Sequence, residues 1–235
     1  MKSNSETSYG ARIGNAEKLV ATVQNFNGYV AIKPVYSSAA YSVLIAEIKN
    51  QNFAVATKKQ DYSLAVTNRK LIFETSDTSI KKLLSPINGA VKVIFGKTAK
   101  ESTDIAAIIA KIRGANGRKS KTKKEDEESV SQSYQSYNSK AQFFIDLIAY
   151  LTNFGVDYAP ANNNVTILNL NKVYNDAIDA NNKVRDSFTK FIKVNESRIA
   201  SYNQLAQNAQ GIKDSIKSQY GYNSVEYNLI KGLKI

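Results

Sequence analysis

The side chains available for chemistry in this 235-residue chain are mainly carboxylates, amines and hydroxyls, because it contains no His, no Cys and no Trp. These absences exclude a Cys/His zinc site, haem or iron–sulfur ligation, a His general base, a catalytic thiol and a disulfide framework. A catalytic mechanism would therefore have to use carboxylates or a Ser/Lys pair. The chain has many serines and lysines, and none has a sequence context that singles out one pair.

One short motif resembles the end of a phosphate-binding loop. The segment FGKT at Phe95–Thr98 follows an apolar run and ends as the pattern G-x-x-x-x-G-K-[ST] ends. The first glycine of that pattern falls on Val91, and the nearby Gly89 lies two residues too early. Without that glycine the backbone cannot form the nest of N–H groups that holds a phosphate. We therefore predict a helix end followed by a polar loop, and no cofactor.

Three aspartates stand close together in the second half of the chain, at Asp176, Asp179 and Asp186. A Mg²⁺ or Ca²⁺ site, or acid–base catalysis, needs carboxylates that converge from several elements. Here Lys172, Lys183 and Arg185 lie close by, the two lysines at helical neighbour spacing from the aspartates, so surface ion pairs explain the pattern better. We predict no metal site and no catalytic residue.

The strongest functional signal is the positive charge, with a formal net charge of +12 and a pI of about 9.6. The charge is uneven: residues 17–114 carry +7 and residues 141–235 carry +2. Twelve basic residues are concentrated between positions 81 and 124: Lys81, Lys82, Lys92, Lys97, Lys100, Lys111, Arg113, Arg118, Lys119, Lys121, Lys123 and Lys124. Such a stretch would bind nucleic acid or an acidic partner through charge alone, or it would only keep the protein in solution.

The chain contains an internal duplication, which three pairs of segments indicate. VQNFNGYVAIKP from Val23 matches LTNFGVDYAP from Leu151, and VKVIFG from Val91 matches IKSQYG from Ile216. The endings IIAKIRG and LIKGLKI also correspond. The three pairs keep the same order along the chain, so we predict two related units.

The predicted domain organisation follows from this duplication. Residues 1–14 are expected to be a disordered N-terminus, 15–114 the first helical repeat and 141–235 the second. Residues 115–140 are rich in Gly, Ser, Lys, Glu and Gln and offer almost no apolar surface to bury. This composition predicts a flexible charged linker between the repeats.

Helical periodicity dominates both repeats. Apolar residues at spacings of three and four predict a helix over 141–154, and the second repeat has no Pro or Gly between 165 and 210. A long helix is therefore expected over 165–207, and Ser37 and Ser38 begin a similar one that reaches Glu74. Asparagines interrupt the apolar face of each long helix, so a continuous, a kinked and a hairpin form all remain open.

Shorter helices should follow each long one. In the first repeat we expect a short helical segment at 79–84, a helix at 85–95 with Ser85 as its cap and Pro86 at its first position, and another at 103–112. In the second repeat we expect helices at 212–220 and 224–233. VKVIF also suits a strand, but its counterpart IKSQY does not, which favours helix.

These features together predict an all-α protein of two tandem helical bundles of the up-and-down type, each with a long central helix. The pattern resembles functionally uncharacterised, duplicated or single-unit helical proteins that are associated with Bacteroidota. The resemblance rests on NF…YAP before the long helix and on IKSQYGYNSVEYNLIKGLK at Ile216–Lys234, and it is looser in the first repeat. It implies a fold and no activity.

We expect a non-enzymatic structural or interaction protein that acts through protein partners or self-association. Sequence-independent binding of nucleic acid or an acidic partner through residues 81–124 is the alternative, and an enzyme is a third hypothesis. The N-terminus has no apolar segment of signal-peptide type, and no stretch approaches the ~20 residues that span a bilayer. A cytoplasmic location is therefore expected.

Overall fold

The structure is a computed structural model that describes residues 8–114 and 136–235. Within these ranges it consists of helices and turns without a strand, which confirms the predicted all-α class. The α-helices are α1 (Tyr9–Gln24), α2 (Ser38–Lys70), α3 (Ile80–Phe95), α4 (Lys100–Arg113), α5 (Tyr137–Asn153), α6 (Ile167–Tyr220) and α7 (Val225–Ile230). No helix in the described ranges is both long enough and apolar enough to cross a membrane.

Serine caps determine where α1 and α5 begin. The Ser8 hydroxyl accepts a hydrogen bond from the N–H of Ala11, and the Ser136 hydroxyl accepts one from the N–H of Ser139. Each bond satisfies an N–H that the first helical turn would otherwise leave unpaired. α1 therefore begins inside the segment 1–14 predicted to be disordered, and α5 begins inside the predicted linker 115–140.

A tyrosine holds the loop before each long helix. The Tyr29 hydroxyl donates to the carbonyl of Tyr36 at 3.1 Å, and the Tyr158 hydroxyl donates to the carbonyl of Val165 at 2.8 Å. Each acceptor ends a short 3₁₀ turn, at Pro34–Tyr36 and Asn163–Val165. Both long helices thus start from a loop that is closed by the same kind of bond across seven residues.

The two long helices differ in continuity. α6 runs unbroken for 54 residues, so the helix predicted separately at 212–220 is part of it. α2 ends at Lys70 and continues into a π-helical turn at Leu71–Thr75, and the N–H of Ser76 donates to the carbonyl of Leu71. A π-turn marks a local insertion or interruption of an α-helix.

α3 is a single helix with Pro86 in its interior, so the predicted break at Ser85 was wrong. Proline removes one backbone hydrogen bond from the helix. The helix persists because its apolar positions stay in phase across the proline and are buried, as Ile80, Leu84, Ile87 and Val91 show.

The structure divides into two compact units. Of the described residues, unit 1 comprises 8–60 and 189–235, and unit 2 comprises 61–114 and 136–188. In unit 1, buried residues of α1 and of the first part of α2 pack with those of the last part of α6 and with Ile230 of α7. In unit 2, the core joins Phe73 to buried residues of α3, α4, α5 and the first part of α6.

Each unit therefore contains residues from both predicted repeats. Neither 15–114 nor 141–235 forms a bundle by itself, because α2 and α6 each contribute one part to each unit. Helical periodicity identifies which residues are buried, and it does not identify the segment against which they pack.

Candidate anion-binding groove and aromatic clusters

A groove of about 790 Å³ lies in unit 2 where the start of α3 meets the π-helical turn after α2, the end of α4 and the start of α5. The buried side chains of Phe73, Ile80, Leu84 and Ile112 form its base. The remaining lining residues are polar or charged: Glu74, Lys81, Lys82, Ser85, Arg113 and Lys140. Four cations and one carboxylate give the lining a formal charge of +3. We call this the basic groove.

The four cations of the basic groove are held differently. Lys140 lies 3.2 Å from a Glu74 carboxylate oxygen, and Arg113 donates to the Ser85 hydroxyl at 2.8 Å. Lys81 and Lys82 are exposed and form no ion pair with any residue that the structure describes. These two lysines therefore remain available to an anion.

An aromatic cluster adjoins the groove and orients Lys140. The Arg69 guanidinium lies 4.2 Å from the centre of the Tyr137 ring, and the Lys140 ammonium lies 5.4 Å from it. The Phe73 ring packs against Tyr137 at a centroid distance of 4.8 Å. Burial raises the pKa of the Tyr137 hydroxyl, the Glu74 carboxylate adds to the rise, and Arg69 opposes it. Tyr137 thus stays a neutral ring that cations can approach.

Unit 1 contains a similar cluster. The Arg198 guanidinium lies 4.4 Å from the centre of the Tyr9 ring, and the Arg12 guanidinium lies 4.9 Å from that of Tyr202. The two rings are 4.4 Å apart. The Tyr202 hydroxyl donates to the carbonyl of Tyr9 and accepts from the amide of Asn52. These contacts fix the first turn of α1 against α2 and α6.

The predicted basic residues are not all brought together. Lys81, Lys82 and Arg113 reach the basic groove, whereas Lys97 and Lys100 lie beyond the other end of α3, ~24 Å along a 16-residue helix. Lys100 forms an ion pair with Asp104 at 3.0 Å, which raises its pKa.

Among the described residues of the predicted stretch, no other basic residue lines the groove. Lys92 is half-buried near the end of α3, and the Lys111 ammonium lies 5.8 Å from the centre of the Phe143 ring. The other five predicted residues lie outside the described ranges: Arg118, Lys119, Lys121, Lys123 and Lys124.

The remaining candidates for chemistry stay separate. Asp176 lines a smaller cavity of about 450 Å³ with Asp77, and Asp179 and Asp186 are exposed on α6. The structure, where it describes the chain, holds no group of three or more carboxylates that could bind a metal ion. The FGKT segment ends α3 at Phe95 and continues as a turn, as predicted. The hydroxyl of Ser102, near the start of α4, donates to the carbonyl of Gly96.

Three polar groove residues were not among the predicted binding residues. Lys140 stood at the edge of the predicted linker, Glu74 preceded the basic stretch 81–124, and Ser85 lay within that stretch without being one of its basic residues. A weak signal for Lys140 was available, since Ser136 and Ser139 precede it as a cap preceding a helix would.

Comparisons with protein-family models, with curated proteins and with solved structures found no match to this chain.

Proposed function

We propose that the protein is a non-enzymatic interaction protein built from two copies of one helical sequence that exchange segments. The copies would be residues 8–114 and 136–235, slightly longer than the repeats 15–114 and 141–235 predicted from sequence. Membership of the Bacteroidota-associated group and a cytoplasmic location remain predictions.

Equivalent positions support the duplication. At an offset of 128, Ser8 and Tyr9 correspond to Ser136 and Tyr137, which are the caps and first residues of α1 and α5. At an offset of 129, Tyr29 corresponds to Tyr158, and the two donate the same hydrogen bond across seven residues. At an offset of 125, Gly96 corresponds to Gly221, each at φ +96° after its helix.

The single observation that carries the exchange is the pairing of arginine and tyrosine in the two aromatic clusters. Arg198 and Arg69 are equivalent at an offset of 129, yet Arg198 of the second copy lies over Tyr9 of the first. Conversely, Arg69 of the first copy lies over Tyr137 of the second. Each copy thus supplies the arginine for the other copy's first helix.

A second pair of aromatic contacts supports the same exchange. Phe26 of the first copy packs on Tyr220 of the second, and Phe154 of the second packs on Phe95 of the first. Phe26 is equivalent to Phe154, and Phe95 to Tyr220. We therefore infer that the interaction made by this protein is association between copies of this sequence.

Cleavage of the chain tests this proposal. A protease site placed between residues 115 and 135 would cut the full-length protein between the copies, and light scattering after size exclusion would give the mass. We expect the fragments to remain together and to unfold in one transition. Separation into two folded fragments would contradict the exchange. Two tandem bundles would each fold alone and would separate after cleavage.

A matched pair of substitutions controls this experiment. Leu147 is fully buried in the core of unit 2, whereas Val156 is 95% exposed. Leu147→Asn should dissociate the cleaved fragments because it buries an amide in an apolar core. Val156→Asn should leave them associated.

The basic groove favours a second candidate function, the binding of an acidic partner or nucleic acid. Its support is the convergence of Lys81, Lys82 and Arg113, all members of the predicted basic stretch 81–124. A gel-shift assay at low salt tests nucleic-acid binding, with a variant that reverses the charge of Lys119, Lys121, Lys123 and Lys124. Loss of binding is expected if the whole stretch contacts a phosphate backbone.

A further inference from the structure

The start of α3 carries positive charge where helices usually carry negative charge. Its first turn holds Lys81 and Lys82 and no acidic residue. The backbone already gives a helix N-terminus a partial positive charge, so a cation there is unfavourable and an anion is favourable. The free ammonium groups of both lysines increase that local potential.

The same turn lacks a side-chain cap. Ser79 occupies the capping position, but its hydroxyl accepts no bond from the turn. Ser79 is fully buried, and its hydroxyl oxygen has no hydrogen-bond partner among the described residues. N–H groups at the start of α3 therefore lack the acceptor that a capping serine normally supplies, and a bound oxyanion can supply one.

The basic groove surrounds this turn with further donors. Arg113 and Lys140 approach from α4 and α5, and the lining as a whole has a formal charge of +3. The volume of about 790 Å³ lies within the range of ~300–1,000 Å³ that is typical of small-ligand sites. The site is thus concave, cationic and sized for a small molecule.

The equivalent region of the second copy has neither a helix N-terminus nor the two lysines. This comparison rests on the proposed duplication. Phe73 is equivalent to Tyr202 and Ile80 to Leu205, so the first copy has four additional residues between these positions. The insertion breaks the long helix and creates the N-terminus of α3. Ala206 and Gln207 take the places of Lys81 and Lys82 in the interior of continuous α6.

We propose that the basic groove binds a soluble phosphorylated small molecule that carries at least two negative charges. Its phosphate oxygens accept hydrogen bonds from the first turn of α3 and pair with Lys81 and Lys82, while Arg113 provides a planar donor group. A nucleic-acid backbone is a poorer fit, because it needs cations along an extended track. Lys97 and Lys100 lie ~24 Å from this turn, beyond the far end of α3.

Calorimetric titration of the full-length protein with inorganic tripolyphosphate and with pyrophosphate tests the proposal, with sulfate at equal ionic strength as reference. The double variant Lys81→Gln/Lys82→Gln should weaken tripolyphosphate binding about tenfold or more, as expected for the loss of two charge-assisted contacts. The variant Lys97→Gln/Lys100→Gln removes the same charge from the same stretch outside the groove. It should change the affinity by less than about twofold.

Several results would overturn the proposal. One is the absence of tripolyphosphate binding at low salt, and another is equal weakening of tripolyphosphate binding in both double variants. The third is a DNA oligonucleotide that binds more tightly than tripolyphosphate and depends on both lysine pairs. A further arm adds vesicles containing phosphatidic acid, and sedimentation of the protein that requires Lys81 and Lys82 would assign the groove to a lipid headgroup instead. The fragment-association experiment is independent of all these outcomes, so failure of one proposal is distinguishable from failure of the other.

Discussion

The ring of Tyr36 packs directly against Gly211 in the interior of α6. A Cβ atom at position 211 would overlap three carbons of that ring. Glycine is a poor residue for a helix interior, by about 1 kcal/mol relative to alanine. Its presence here is explained by the close approach of the turn Pro34–Tyr36 to the helix backbone.

We expect Gly211→Ala to lower the free energy of unfolding by up to about 2 kcal/mol. The overlap with Tyr36 costs about 1–3 kcal/mol, and the better helix propensity of alanine offsets about 1 kcal/mol of it. Urea denaturation followed by circular dichroism measures the change. Gly89→Ala is the control, because Gly89 lies in α3 with no atom near its absent Cβ, and it should raise stability by about 0.5–1 kcal/mol. A stabilising Gly211→Ala would contradict the packing.

Gly211 also shows why the sequence predicted elements better than their connections. Apolar spacing predicted most of the helical segments, but α1 was not predicted, and the segment 212–220 after Gly211 was expected to be a separate helix. Its real role depends on Tyr36, 175 positions earlier. Pro86 was misassigned for a related reason, because buried neighbours keep α3 intact across it. Local propensity does not report such tertiary contacts.

The candidate site was predictable only in its charge. Lys81, Lys82 and Arg113 were identified by the density of basic residues, whereas Lys140 reaches the groove from another helix. The proposed exchange of segments between the copies could not be predicted from the sequence either. The alternation of buried and exposed residues is the same for a tandem and an exchanged arrangement.

We expect Arg198→Met to reduce the unfolding free energy by about 1 kcal/mol. The substitution removes the guanidinium from the face of Tyr9, and a cation over an aromatic ring contributes about 0.5–2 kcal/mol. Because Tyr9 begins α1, amide hydrogen exchange in the first turn of α1 should accelerate more than in α5. Mass spectrometry of exchanged peptides would measure both helices.

The same substitution at Arg185 provides the control for Arg198. Arg185 is on the same helix, and its side chain is 73% exposed. Arg185→Met should change stability by no more than about 0.5 kcal/mol. A double-mutant cycle with Tyr9→Leu should give a coupling energy near ~1 kcal/mol for Arg198, and a coupling of zero would refute the contact's contribution.

Ionisation of Tyr158 should make the protein less stable at high pH. Burial raises the pKa of this hydroxyl from 10.0 to about 12 in the folded protein. The folded state therefore holds the proton more tightly, and this contribution is complete below pH 10 and is lost as the pH rises from 10 to 12. The difference corresponds to at most about 2–3 kcal/mol.

Tyr158→Phe separates this effect from other titrations. At pH 8 the variant should be less stable by about 1 kcal/mol, because the carbonyl of Val165 loses its donor. Between pH 10 and pH 12 it should lose less stability than the wild type. Tyr222→Phe, at a residue that is 62% exposed, should follow the wild-type profile. Burial also raises the pKa of Tyr41, so the stability of Tyr158→Phe should keep some dependence on high pH. Parallel profiles for the wild type and Tyr158→Phe would show that Tyr158 does not cause the loss of stability.

Deletion of the four residues Thr75–Thr78 should convert the first long helix into the form of the second. The deletion joins Glu74 to Ser79 and restores the spacing of Phe73 and Ile80 to that of Tyr202 and Leu205. We expect a folded protein with one cooperative transition and higher helicity per residue, because the turn at Ser76–Ser79 is replaced by helix.

Replacement of the same four residues by Gly-Ser-Gly-Ser is the matched control, since it keeps the chain length and the helix break. This variant should retain binding of tripolyphosphate, and the deletion variant should lose it, because only the deletion removes the N-terminus of α3. Loss of cooperative unfolding in the deletion variant would show that the four residues are not an insertion into a continuous helix. The exchange of segments would then have to be supported by fragment association alone, and the basic groove would be an original feature of the fold.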